Sequence, residues 1–82
     1  MARDRMADEE RRLLELLAAS DDGSTEALLL AHGFTLEVIV RSVRAGLATA
    51  TAEPILAGGR AVEVSRVRIT EAGRRALADR TR

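Results

Sequence analysis

The sequence predicts a small α+β domain, mainly α, and three observations carry that expectation. Apolar residues recur at helical spacing, between recognisable caps, through residues 4–45. After Gly46 the period changes from 3.6 to 2, on both sides of a Gly58-Gly59 pair. Thr70 then opens a last helical segment. The expected order is helix, two closely spaced helices, two-stranded hairpin, helix. With 82 residues the chain is one domain. We expect residues 6–80 to fold as a unit and residues 1–5 to form a loose tail, Met6 being an alternative start. A chain of this length buries only about 60–65% of its unfolded surface, so the core is marginal.

The first helix is expected from Asp4 to Ala19. Met6, Glu10, Leu13, Leu14 and Leu17 share one face. Asp8, Glu9 and Glu10 sit near its start, where carboxylates meet the positive end of the dipole. Ser20-Asp21-Asp22-Gly23 is a turn by composition. Its two Asp residues lack the alternating oxygen ligands of a calcium loop. Ser24 is read as the cap of a second helix from Thr25 to His32. Leu28, Leu29 and Leu30 spread over about 200° of that helix, so it should be covered on two sides. His32, the lone histidine, reads as a helix C-terminal residue easing the dipole.

The third helix organises the chain. Gly33 ends what precedes it, Thr35 is its N-cap, Glu37 lies in its first turn, and Gly46-Leu47 closes its C-terminus. Leu36, Ile39, Val40 and Val43 form the expected buried stripe. Val38, Arg41 and Ala45 then fall on the opposite side, flanked by Glu37, Ser42 and Arg44. The link between the second and third helices is Gly33-Phe34, the length of a helix-turn-helix with glycine in its turn.

Residues 48–56 and 60–69 read as two strands joined by the Gly58-Gly59 turn. Without a bulge, partners satisfy i + j = 117. Ala48–Ile69 and Ala50–Val67 then face the core. Thr49–Arg68, Thr51–Arg66, Glu53–Val64 and Ile55–Val62 fall on the other face. Two outcomes stay open: a bulge near Ser65-Arg66 resets the parity, or Ile55, Val62 and Val64 form an exposed patch for a partner. Pro54 already marks irregularity there. In the last helix, from Glu71 to about Arg80, Gly73 costs roughly 1 kcal/mol against Ala. We read it as a point of close approach, with Ala76 and Leu77 completing the buried side.

Composition excludes more than it assigns. There is no cysteine, hence no disulfide or zinc–thiolate site. All 13 cationic residues are Arg, balanced by 13 acids. Residues 1–40 hold four Arg and nine acids, and residues 41–82 nine Arg and four acids. Such polarity gives a neutral molecule a basic face, or a self-complementary surface that favours a homodimer. No apolar run suits a bilayer, so no membrane partner and a cytoplasmic location are expected. With one His, no Cys, no phosphate-binding loop and no converging acids, we expect neither an enzyme nor a cofactor or metal.

Val43-Arg44-Ala45-Gly46-Leu47 and Ile69-Thr70-Glu71-Ala72-Gly73-Arg74 carry a family resemblance. They are similar to the segments that lead into and out of the wing in winged helix-turn-helix proteins of the MarR type. The resemblance spans roughly residues 10–78. It implies a three-helix core, a two-stranded wing and a C-terminal helix, and a bacterial DNA-binding transcription regulator. On this reading the chain is expected to depart from that family, without its terminal dimerisation helices and without a sensor domain. On the family's pattern, helix 35–45 enters the major groove and the tip 58–60 touches the adjacent backbone or minor groove of double-stranded DNA. Arg41 is then the base-reading residue. Thr35, Ser42, Arg44, Arg60, Arg66 and Arg68 complete the DNA-contacting set, mostly at phosphates. Net neutrality, Glu37 and Val38 favour the alternative: a winged-helix protein–protein interaction module without DNA binding, its partner interface at Ile55, Val62 and Val64.

Overall fold

The last three helices begin where their capping threonines dictate. The computed structural model describes residues 8–80, so the expected tail and the place of Met6 lie outside the described residues. α1 (Asp8–Ala18) leads into a tight turn and a two-residue strand, β1 (Ser24–Thr25). α2 (Glu26–Ala31) and α3 (Leu36–Arg44) follow, then β2 (Ala48–Ala57), β3 (Arg60–Ile69) and α4 (Glu71–Arg80). Among the described residues the fold is α+β, four helices with a three-stranded antiparallel sheet in the order β1-β3-β2.

The N-cap of α2 is Thr25, whose hydroxyl accepts from the Leu28 amide at 3.2 Å; Ser24, expected there, is buried in β1 instead. Thr35 caps α3 in the same way, accepting from the Val38 amide. Both helices end in the Schellman pattern. Phe34 donates to Leu29 and Gly33 to Leu30, and likewise Leu47 to Ser42 and Gly46 to Val43. Gly33 and Gly46 hold the left-handed φ values of +97° and +79° that this closure needs. His32 is the C-cap of α2, and its Nδ1 donates to the Leu28 carbonyl at 2.9 Å.

β2 and β3 pair without a bulge from Ala48↔Ile69 to Ala57↔Arg60. The i + j = 117 register therefore holds throughout, and Pro54 is accommodated opposite Glu63. Gly58 and Gly59 turn the chain with φ of +61° and +80°, as a type I′ loop requires. β1 adds a short third strand, Ser24↔Val67 and Thr25↔Arg66.

The core is Leu13, Leu14, Leu17, Leu29, Val38, Ile39, Ala48 and Val67, with Leu16, Phe34, Val43, Leu47, Ile69 and Leu77 packed around it. Thr70 ties the end of the hairpin to the end of α3. Its hydroxyl donates to the Gly46 carbonyl at 2.7 Å and accepts from the Gly73 amide, capping α4. A Cβ at Gly73 would collide with the Leu47 carbonyl, so the close approach expected there is real. Strands of ten residues reach about 33 Å, and most of the hairpin projects from the helical body. Hence the molecule measures 50 × 21 × 19 Å, with a radius of gyration of 13.5 Å against about 12 Å for a rounded chain of this length.

Two packing expectations are corrected. The buried line of α3 is Val38, Ile39 and Ser42, while Leu36 and Val40 are exposed. The helix is thus rotated by roughly 100°, one residue, from the expected stripe. Its apolar residues span about 200° of circumference, more than α1 and the sheet can cover, and the sequence pattern alone does not choose between the halves. Ser42, the smallest side chain of α3, is taken into the core. In α2 only Leu29 is buried; Leu28 and Leu30 are exposed, so the helix is covered on one side, not two.

Candidate interaction face of α3 and the hairpin

Rotation of α3 decides what its outward side offers. Leu36, Glu37, Val40, Arg41 and Arg44 line a shallow concavity of about 480 Å³ along that side. Leu36, Val40 and Arg44 also belong to a groove of about 390 Å³ between α3 and the hairpin. Ile39 and Val43 of α3, and Ala50, Ser65 and Val67 of the strands, complete its walls, with Glu26 of α2 at the edge. The two hollows share residues and form one trough, mostly apolar. Leu36 is 52% exposed and Val40 42%, large values for branched apolar side chains that share one helix face.

The expected DNA-contacting residues fare differently from one another. Arg41 is exposed on the trough wall, but its Nη2 donates to Glu37 Oε2 at 3.2 Å, one helical turn back. Ser42 is fully buried and offers nothing to a ligand; this is a correction to the expected set. Its Oγ, like that of Ser24, is buried without a hydrogen-bond partner. The Thr35 hydroxyl is occupied by its own helix cap. Arg44 and Arg60 are exposed and make no ion pair among the described residues.

Arg66 and Arg68 meet at one carboxylate, an arrangement sequence reasoning missed. Arg66 Nε donates to Glu53 Oε1 at 2.9 Å and Arg68 Nη2 donates to Glu53 Oε2 at 3.3 Å. Arg66 Nη1 also reaches the Asp22 carbonyl at 3.4 Å. The Arg66 hydrogen bond, with its charge and then that of Arg68, holds the Glu53 carboxyl below its usual range despite partial desolvation. The signal was available: the continuous register puts Glu53 diagonally across from Arg66 on one face.

The same register settles the distal hairpin. Ile55 and Val62 are 40% and 43% exposed, and Val64 is half-buried on the same face. The exposed patch, not the bulge, is what forms. On the opposite face Leu56 is 79% exposed, beside Ala61 and near Glu63. Glu63 makes no ion pair among the described residues.

Chemically the trough offers exposed apolar side chains beside the Arg44 guanidinium. Among the described residues no group of His, Cys, Asp and Glu could hold a metal ion, and no helix is long and apolar enough to cross a membrane. No protein-family model, curated protein or solved structure matches this chain.

Proposed function

We propose that the chain is a winged-helix protein-docking module, its partner seated in the trough of α3 and against the distal hairpin. The order of helices and strands supports the winged-helix reading, with β1 pairing on β3 and β2–β3 as the wing. The observation that carries the docking reading is the exposure of Leu36 and Val40 on the outward face of α3. A DNA-reading helix needs donors and free cations there. This one has two apolar side chains, a carboxylate at Glu37 that repels phosphate, and an Arg41 already engaged by that carboxylate. Glu53 likewise offsets the charge of Arg66 and Arg68.

A second reading, the DNA-binding transcription regulator, is favoured by unpaired Arg44 on α3 and unpaired Arg60 at the wing tip. The two readings part in a duplex titration at low and at raised salt. Docking predicts no binding of a random duplex at low salt. Binding that weakens steeply with salt, and weakens further in Arg44→Ala and Arg60→Ala, reverses the preference. An Arg41→Ala change costs about 1–3 kcal/mol of specific binding if Arg41 reads a base.

A further inference from the structure

We infer that the partner in the trough is a second copy of this chain, with the distal hairpin of each copy lying in the trough of the other. This rests on the docking reading, and it names the occupant. The argument is complementarity between two features of one molecule. The trough has apolar Val40 next to unpaired Arg44, one helical turn apart, which sets their Cβ atoms about 5–6 Å from each other. The distal hairpin has apolar Leu56 and unpaired Glu63 on one face. Leu56 pairs with Ala61 and Pro54 with Glu63, which makes Leu56 and Glu63 diagonal neighbours, spaced at about 7 Å or less. An apolar–acid pair on the hairpin thus matches an apolar–base pair on the helix.

Leu56 over Leu36 and Val40 buries the most exposed large side chains of the two regions together. Glu63 then meets Arg44, giving each charge an ion-pair partner that it lacks among the described residues. A two-fold axis makes the contact twice, once in each direction, and closes the assembly. Size is adequate. A standard interface takes about 800 Å² from each partner, and one long side of a 50 × 21 Å body can supply it.

The test is charge reversal read by sedimentation equilibrium, with circular dichroism confirming that each variant is folded. The wild-type chain should show a concentration-dependent mass of twice 8.8 kDa. Arg44→Glu and Glu63→Arg should each weaken dimerisation by roughly 10- to 100-fold, and the double reversal should restore most of it. Leu56→Asp, at a position too exposed to matter for folding of one chain, should give a monomer. A monomeric wild type, open-ended larger assemblies, or a double reversal no better than the single ones overturns the pairing. A duplex titration on the same samples separates the failures. A monomer that ignores DNA leaves the docking reading standing with another partner. A monomer that binds duplex in a salt-dependent way removes both.

Discussion

The two halves of the hairpin share one ladder and one register, yet they differ in what supports them. Near the body, Ala48 and Val67 are buried in the core, β1 pairs with β3, and Glu53 clasps Arg66 and Arg68 across the face. Thr70 pins the end of the ladder to α3. Toward the tip, Ile55, Leu56 and Val62 are exposed, and the strands have only each other and the Gly58-Gly59 turn. A lone two-stranded ribbon is marginal in water. The proximal half is therefore a piece of the domain, and the distal half is an exposed arm that would gain support from the proposed partner. On the body, the trough of α3 is likewise an apolar surface that no described residue covers.

The contrast is sharpest in paired substitutions. Val67→Ala, at a fully buried position, should destabilise by about 2 kcal/mol, lowering the thermal midpoint. Val62→Ala, on the arm, should change the stability of the single chain by no more than about 0.5 kcal/mol. Equal effects at dilute concentration would erase the distinction between the halves. Gly73→Ala should also cost about 2 kcal/mol, despite the better helix propensity of Ala, because its Cβ meets the Leu47 carbonyl that anchors the hairpin.

Smaller effects probe the same anchor. Ser42→Ala removes a buried hydroxyl that has no partner, and should stabilise by about 1 kcal/mol, raising the midpoint by roughly 4–8 °C. A loss of stability would mean that this hydroxyl is satisfied in solution. The weakest effect expected is at the Glu53 clasp. Its carboxyl is held down in the folded chain, so its contribution is complete above the ordinary Glu range and fades as pH falls through the lower folded value. Once corrected for the intrinsic pH dependence of amide exchange, protection of the proximal-strand amides should therefore be lower below about pH 4 than near neutrality. Glu53→Gln should flatten that difference, and an unchanged profile in the variant would remove the clasp from the account.

The comparison also explains which parts were legible in the sequence. Caps and turns were: Thr35, Gly33, Gly46, Thr70 and the Gly58-Gly59 loop act locally, and backbone chemistry fixes what they do. The hairpin register followed from the turn length alone. The rotation of α3 did not. Leu36, Val38, Ile39, Val40 and Val43 leave two apolar arcs of similar merit, and only the tertiary fit of Ser42 against the core decides. α2 failed in the same way, because three adjacent leucines say that a helix is apolar without saying what covers it. β1 was too short to show any periodicity. The candidate site inherits these limits. Exposure of Leu36 and Val40 is a property of the assembled chain, whereas Arg44 and Arg60 were already visible as surface cations.

Hydrogen exchange followed as a function of protein concentration tests most directly the claim that the arm and the trough complete each other. Amides of residues 52–65, and those of α3, should exchange more slowly as the concentration rises through the dimer range, while the buried amides of α1 stay unchanged. Protection that is the same at every concentration, in the arm and in α3 alike, would contradict the claim.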